Sequence, residues 1–309
     1  ACRQSTETRR LTERLRAAVY GHLVGDALGV PYEFTSPAVG SVVWRGGGKH
    51  GQPPGTWSDD GALMLATLDS LLSAGFDTAD QAQRFLAWYP GGAYTPDPGE
   101  RPFDIGKTTR HALDRLRAGT PAGEAGDGPT GLGNGSLMRI LPIALVDPTA
   151  EPAQLVERAH RSSRITHAAP ECLAACALYL LVARELLAGE RDRPSALERA
   201  IGLLRAEYGR IGQGELVEAL DALLAWSGRA GRGHVLDSFW SAWDAFAGSR
   251  DYASAVIRAV EYGRDTDTTA AIAGGLAGLY WGEGTIPAEW LAGLRGKELV
   301  EEILGKAGV

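Results

Sequence analysis

The chain has 309 residues, of which 44% are hydrophobic and 22% are charged, and its formal net charge is -7. This composition is ordinary for a soluble globular protein with a sizeable core. The acidic balance argues against a general nucleic-acid binder with a broad basic face. We find no signal peptide and no apolar run long enough for a membrane span, so no membrane association is expected. Three scattered cysteines are not a disulfide framework, which favours a reducing, cytoplasmic setting.

The hydrophobic pattern predicts a series of helices and almost no strands. The first helix is expected to begin near Thr6 or Thr8, with at most about ten disordered residues at the start of the chain. It should end in a stretch of small residues before Pro31, which stops a helix. Further helices are predicted at about 62–72, 77–88, 110–117, 140–146, 151–164, 170–188, 194–208, 214–226, 235–246, 252–262 and 270–281.

A first acidic cluster, Ser58-Asp59-Asp60, stands between a loop rich in glycine and proline and the helix predicted at 62–72. Adjacent carboxylates beside a hydroxyl are the hard oxygen ligands that Mg²⁺ and Mn²⁺ prefer. The alternative is ordinary capping, in which acidic residues complement the dipole of the helix. Of the two acidic residues upstream, Glu33 is a stronger functional candidate than Asp26, although either could be exposed or capping.

A second cluster, Asp265-Thr266-Asp267-Thr268, opens the helix predicted at 270–281. The glycines of that helix would weaken it unless close packing required them. A second Asp-x-Asp beside a hydroxyl, again at a helix start, is hard to ascribe to capping alone. If the two clusters converge, four carboxylates meet and divalent cations must neutralise their repulsion. The residues near 59 and 266 should then lie within about 10 Å of each other.

Two loops and one helix junction carry the remaining candidates. Asp104 precedes a helix that it could simply cap. The loop 133–136, Gly-Asn-Gly-Ser, is predicted to enter a helix, where backbone N–H groups accept phosphate, although Asn-Gly is also an everyday turn. His167 follows a helix and either caps the junction or donates a hydrogen bond to a ligand.

In this order the motifs resemble those of the ADP-ribosylglycohydrolase family, which includes the dinitrogenase-reductase-activating glycohydrolases. The resemblance runs from about residue 11 to residue 285. It implies a single all-α domain over 1–309, a roughly orthogonal bundle of a dozen or more helices. A central cleft would hold two divalent cations, Mg²⁺ or Mn²⁺. The matching stretches are Gly25-Asp26-Ala27-Leu28-Gly29 with Glu33, Trp57-Ser58-Asp59-Asp60, Phe103-Asp104-Ile105-Gly106, Gly133-Asn134-Gly135-Ser136-Leu137-Met138-Arg139, Thr166-His167 and Asp265-Thr266-Asp267-Thr268.

The resemblance also implies roles for individual residues. The reaction would be hydrolysis of the glycosidic bond at the anomeric carbon of ADP-ribose, with an oxocarbenium-like transition state that carboxylates stabilise. Asp104 would contact the leaving group, Glu33 would act as acid, base or gate, and Asp59 would also be catalytic. The pyrophosphate would rest on Gly133, Asn134, Gly135 and Ser136, with His167 nearby. The metal ligands would be Ser58, Asp59, Asp60, Asp265, Asp267 and Thr268, with Asp267 as the best bridging candidate.

The sequence departs from the family pattern at two positions. Ser58 stands where the family often has threonine and keeps the hydroxyl. Arg264 stands where the family often has glycine, and it could reach a phosphate or point to solvent. The favoured substrate is an ADP-ribosylated protein modified on arginine; a serine linkage, O-acetyl-ADP-ribose or ADP-ribosylated nucleic acid are the close alternatives. A di-metal phosphohydrolase and an inactive ADP-ribose-binding relative are the more distant ones.

Overall fold

The structure is a computed structural model that describes residues 2–128 and 131–308. These residues form fourteen α-helices and four single 3₁₀ turns, and three isolated bridges are their only β-type pairing. The 3₁₀ turns are Val30–Tyr32, Ala122–Glu124, Leu137–Arg139 and Glu283–Thr285. The helices are α1 (Cys2–Gly29), α2 (Asp59–Ala74), α3 (Thr78–Trp88), α4 (Lys107–Arg117), α5 (Pro142–Val146), α6 (Pro152–Ser163), α7 (Pro170–Leu187), α8 (Arg193–Ile211), α9 (Gly214–Ala225), α10 (Val235–Ala247), α11 (Tyr252–Glu261), α12 (Thr266–Trp281), α13 (Ala288–Gly293) and α14 (Lys297–Gly305).

The all-α class predicted from the sequence is confirmed, and the differences lie at the two ends of the chain. Helix α1 begins at Cys2 rather than near Thr6 or Thr8. Its first turns contain no helix breaker, and the exposed pair Arg9–Glu13, spaced i,i+4, supports them. Helices α13 and α14 were not predicted. They are only 6 and 9 residues long, which leaves little periodicity to detect.

Helices α1 and α12 form an antiparallel pair in which glycines bring the two backbones together. A Cβ at Gly21 would lie 2.4 Å from the carbonyl oxygen of Gly274, and a Cβ at Gly25 would lie 2.2 Å from that of Ala270. At the end of the pair, a Cβ at Gly29 would lie 2.5 Å from the Cα of Asp267. The glycines that weaken both helices are therefore required by their contact.

Helix α7 runs through the centre of the molecule and packs against α6, α8, α9 and α10. Nearly all of its residues are buried, including Cys172 and Cys176, which are free thiols. It is therefore a core helix, as its short apolar run suggested. Across the described residues, no helix combines the length and the apolar character that crossing a bilayer would need.

The ends of several helices meet at one place. The C-terminus of α1 lies beside the N-terminus of α12, and the N-terminus of α2 packs against both. The loops that precede α2 and α4 and the turn that precedes α5 close around these ends. Helix termini present unpaired backbone groups and short polar side chains, so this convergence is where functional groups are expected.

Candidate active site

The two acidic clusters, remote in sequence, meet in the fold. Thr268 at the start of α12 donates a hydrogen bond of 2.8 Å from Oγ1 to Oδ2 of Asp60 at the start of α2. Carboxylate oxygens of Asp26, Asp60 and Asp267 lie within 4.8 Å of one another, and so do those of Asp59, Asp104 and Asp267. The predicted proximity of residues near 59 and near 266 is therefore confirmed, and Asp267 belongs to both groups.

The first cluster both caps a helix and supplies carboxylates. Ser58 is the N-cap of α2, and its Oγ accepts a hydrogen bond of 3.2 Å from the backbone N–H of Asp60. The carboxylate of Asp26, on α1, accepts the backbone N–H groups of Ser58 and Gly61 at 2.9 and 2.8 Å and the hydroxyl of Ser58 at 2.9 Å. Asp26 thus fixes the start of α2 from outside that helix. From the sequence, Asp26 was a weaker functional candidate than Glu33, because its hydrogen-bond partners lie more than 30 residues away in the chain.

The second cluster is held from three sides. Thr266 donates from Oγ1 to the carbonyl of Gly29 at 2.7 Å, which ties α12 to the end of α1. Asp265 accepts a hydrogen bond of 2.8 Å from the side-chain amide of Asn134. Arg264 adopts a positive φ of 59°, and its guanidinium donates to the carbonyl of Ala230 at 2.9 Å. Arg264 lines the cleft and stands at its exposed rim.

The buried carboxylates are well suited to holding cations. Four of their oxygens, Oδ1 of Asp59, Oδ1 of Asp60 and both of Asp267, are buried and have no hydrogen-bond partner among the described residues. Leaving such atoms unpaired is costly unless a cation satisfies them. Burial and the neighbouring carboxylates raise the pKa of Asp265 to about 8 and that of Asp267 to about 6. The same causes hold the pKa of Asp59 and that of Asp60 well above their usual range. An all-oxygen set of this kind matches hard divalent cations.

A third group of titratable side chains, Glu33, His50 and Asp104, shares Asp104 with the group formed by Asp59, Asp104 and Asp267. Nε2 of His50 is 3.3 Å from Glu33 and 3.7 Å from Asp104. Burial, then the charges of Asp267 and Asp104, raise the pKa of Glu33 far above its ordinary value. His50 was missed because it sits in an irregular loop, where no pattern distinguishes a ligand-facing histidine.

Asp104 does not cap the helix that follows it, so that alternative is wrong. The N-cap of α4 is Gly106, which has no side chain to accept a hydrogen bond. Asp104 instead has a positive φ of 67°, a conformation uncommon outside glycine. This backbone aims its carboxyl at the cleft, which it lines together with Glu33 and Asp59.

The cleft has a volume of about 500 Å³, within the range of small-molecule sites. Gly133, Asn134, Gly135 and His167 line it, as the sequence suggested for a phosphate-binding wall. Ser136 does not: its side chain is fully buried and accepts a hydrogen bond from Ser163 at 2.7 Å. The loop also enters a 3₁₀ turn and the 5-residue helix α5 rather than a long helix. The dipole expected there is therefore small.

Arg139 is fully buried and holds this wall in place, and no carboxylate among the described residues pairs with it. Its guanidinium donates to the carbonyls of Gly135 and Ser162 at 2.8 and 2.9 Å and to Oγ1 of Thr166 at 2.6 Å. Thr166 is in turn 2.7 Å from Nδ1 of His167. Burial lowers the pKa of Arg139 to about 10, so the side chain stays charged at neutral pH. Within this motif, Gly133, Asn134 and Gly135 therefore line the cleft, and Arg139 supports them from behind.

An all-helical domain whose cleft ends in buried carboxylates, several of their oxygens without a hydrogen-bond partner among the described residues, suits a hydrolase that uses divalent cations. The comparisons with known proteins agree with this class. The family model of the ADP-ribosylglycohydrolases matches residues 6–308. The chain belongs to the ADP-ribosylglycohydrolase family, as the ordered motifs indicated, and is therefore related to enzymes that hydrolyse glycosidic bonds of ADP-ribose.

Individual relatives align with most of this chain. The chain is 32% identical to ADP-ribosylarginine hydrolase Tri1 of Pseudomonas putida (strain GB-1), over 90% of this chain and 73% of that protein. It is 30% identical to the ADP-ribosyl-(dinitrogen reductase) glycohydrolase of Rhodospirillum rubrum, over 91% and 90%. A solved structure described as an ADP-ribosylglycohydrolase-related protein complex is 35% identical, with a TM-score of 0.78 and 97% of both chains covered.

Proposed function

We propose that this protein releases ADP-ribose from ADP-ribosylated arginine on a target protein, using two divalent cations, Mg²⁺ or Mn²⁺. The observation that carries the proposal is the convergence of Asp59, Asp60 and Asp267, with unpaired buried oxygens, at the end of the cleft. The arginine linkage is supported by the names of two relatives, the ADP-ribosylarginine hydrolases of Pseudomonas putida and Serratia proteamaculans (strain 568).

The metal ligands in this proposal are the six predicted from the sequence. Asp267 lies close to both Asp59 and Asp60 at the starts of α2 and α12. Asp265 and Thr268 line the cleft beside them, and Ser58 caps α2. Asp267 would be the ligand common to both cations, because it belongs to both carboxylate groups. When bound, the cations would orient the ribose hydroxyls and lower the pKa of a water molecule. The ligands are Ser58, Asp59, Asp60, Asp265, Asp267 and Thr268.

The remaining polar groups bind the substrate and move the proton. Asp104 accepts hydrogen bonds from the guanidinium leaving group, for which a carboxylate is the natural partner. Burial raises the pKa of Glu33, and we assign to this residue the delivery of a proton to the leaving nitrogen. Asp59 helps to stabilise the developing positive charge. Gly133, Asn134 and Gly135, with His167, receive the pyrophosphate; Ser136 supports that loop from behind.

The cytoplasmic location is part of the same proposal. The thiols of Cys172 and Cys176 are both free and buried, in agreement with a reducing compartment. No general nucleic-acid binding is expected, because the chain carries a net charge of -7.

The test is release of ADP-ribose from arginine-, serine- and acetyl-linked substrates, each with Mg²⁺, with Mn²⁺ and with a chelator. We expect turnover of the arginine linkage that depends on the metal and that exceeds turnover of the other two. Absence of arginine-linked turnover in both metals would contradict the proposal. Release of inorganic phosphate with the glycosidic bond left intact would favour a di-metal phosphohydrolase instead.

A further inference from the structure

A second cavity, of about 570 Å³, adjoins the cleft at Asp104. Asp104 lines both cavities, and no other described residue lines the two together. In the proposed function the scissile bond lies beside Asp104 and the metal-binding carboxylates. A substrate then extends in two directions from that point: its ADP-ribose part fills the cleft, and the group that carries the ADP-ribose enters the second cavity. We call this second space the acceptor cavity.

The acceptor cavity is basic, although the chain as a whole is acidic. Its wall includes Lys49, Arg101 and Arg110, whereas Asp104 is the one carboxylate among its lining residues. All three cationic residues are exposed, and the described residues form no salt bridge with any of them. The neighbouring carboxylate, Glu100, pairs with Arg295 at 2.8 Å and does not neutralise Arg101.

Aromatic rings hold two of these cations at the wall. The ammonium of Lys49 lies 4.1 Å from the centroid of the Phe34 ring, and the guanidinium of Arg110 lies 5.8 Å from that of Tyr89. Such contacts orient a cation without neutralising it. The positive charge of the cavity therefore remains available to an anionic partner.

We propose that the acceptor cavity binds acidic residues that flank the modified arginine, so that the enzyme prefers targets in which this arginine lies in an acidic segment. This inference rests on the proposed function. The guanidinium of the target lies at Asp104, and the carboxylates of its neighbours pair with Lys49, Arg101 and Arg110. Because Asp104 and the three cations bind groups of opposite charge, they also favour one register of the peptide.

A nucleic-acid target fits this surface less well than an acidic peptide. Binding through phosphates commonly uses about six to ten contacts along an extended basic face. Here the cations are confined to one cavity of about 570 Å³, on a chain of net charge -7. A cavity of this size accommodates a few side chains rather than a nucleic-acid duplex.

The test uses the full chain with Mg²⁺ and three peptides that carry one ADP-ribosyl-arginine flanked by glutamates, alanines or lysines. Free ADP-ribosyl-arginine is the reference substrate. We expect kcat/KM to be about tenfold higher for the glutamate peptide than for the lysine peptide at low salt, because each exposed pair contributes modestly. High salt should remove most of the preference.

Reversing charges distinguishes an effect of the acceptor cavity from an effect of the overall charge of the protein. In the double variant Arg101→Glu/Arg110→Glu, the ratio of kcat/KM for the glutamate and lysine peptides should fall to about one or invert. The matched control Arg250→Glu changes an exposed arginine between α10 and α11 that lines neither cavity, and it should keep the preference.

The outcomes distinguish this inference from the function on which it rests. If the enzyme cleaves free ADP-ribosyl-arginine and cleaves all three peptides at equal rates, the proposed role of the acceptor cavity is contradicted and the proposed function is not. No cleavage of any arginine-linked substrate would overturn both. A third outcome would contradict the acidic peptide and indicate nucleic acid as the target of the acceptor cavity. In that outcome ADP-ribose is released faster from a terminally modified oligonucleotide than from the glutamate peptide, and the double variant abolishes this difference.

Discussion

Asp267 is the residue on which the proposed metal centre depends most. It belongs to both groups of carboxylates, is fully buried, and has two oxygens without a hydrogen-bond partner among the described residues. In the metal-free protein the ionised form of this arrangement carries a cost of repulsion and desolvation, which either protonation or a bound cation relieves.

The variant Asp267→Asn keeps the shape of the side chain and removes its charge. We expect the metal-free variant to be more stable than the metal-free wild type by about 1 to 3 kcal/mol, since a raised pKa measures the cost of that charge. Activity should fall by at least about hundredfold, and Mg²⁺ should no longer raise Tm. Calorimetry with and without Mg²⁺ measures the stability and the shift in Tm, and release of ADP-ribose measures the activity. The control Asp221→Asn, on the exposed face of α9, should change neither.

Asp26 is a positioning residue for the same centre. Its carboxyl accepts two backbone N–H groups and one hydroxyl at the start of α2, and burial raises its pKa well above its usual range. Asp26→Ala should lower stability by about 2 to 4 kcal/mol because it leaves those donors unpaired. It should also weaken metal binding by about 10- to 100-fold.

The amide of Asp26→Asn resembles the neutral carboxyl, so this variant should recover most of the stability that Asp26→Ala loses. Denaturant unfolding and metal titration of the two variants separate the effects. Equal loss of stability in both variants would contradict a capping role for Asp26.

Among the elements, the contact between α1 and α12 determines the geometry of the cleft. Gly25→Ala places a Cβ 2.2 Å from the carbonyl oxygen of Ala270, so the two helices must move apart. Overpacking of this kind costs about 1 to 3 kcal/mol. Because α12 carries Asp265, Asp267 and Thr268 at its start, metal affinity should fall together with stability.

The control for this contact is Gly209→Ala on α8, where a Cβ would meet nothing within 4 Å. That variant should gain about 0.5 to 1 kcal/mol, since alanine favours a helix over glycine. Thermal unfolding of the two variants measures the difference. If both replacements stabilised the protein, that result would contradict the close approach of α1 and α12 at Gly25.

The elements also show what the sequence could and could not predict. The starts of α2 and α12 were predictable because a hydroxyl and two carboxylates stand together in each motif. The roles of Asp26 and His50 were not, because their partners are remote in sequence or lie in an irregular loop. Ser136 was assigned to the phosphate wall from its motif, yet the side chain turns inward to Ser163. The direction in which a loop side chain points depends on how the surrounding chain packs, and the local sequence pattern carries no information about that packing.

At the scale of the whole molecule, the acidic cleft makes stability depend on pH and on metal. The pKa of Asp265 is raised to about 8 and that of Asp267 to about 6, whereas an aspartate in an unfolded chain titrates near ~3.9. Between about pH 4 and pH 8 the folded, metal-free protein therefore holds protons that the unfolded chain has lost. Its stability falls as the pH rises through that window.

Divalent cations should counter this loss, because they bind the ionised carboxylates and displace the protons. We expect the gain in Tm on adding Mg²⁺ to a chelated sample to be larger at about pH 8 than at about pH 5.5. Calorimetry in buffers of matched ionic strength measures the gain. A gain that shrinks as the pH rises would contradict the assignment of these carboxyls as ligands.

The pairing of α1 with α12 also constrains how the chain matures during synthesis. The hydrogen bond from Thr266 to Gly29 joins residues 237 positions apart. At about 5 to 20 residues per second, a ribosome needs roughly 10 to 50 seconds to make the intervening segment. Throughout that interval nascent α1 presents its glycine-lined face without its partner. The proposed metal centre is therefore completed late, when α12 docks and brings Asp267 to α2.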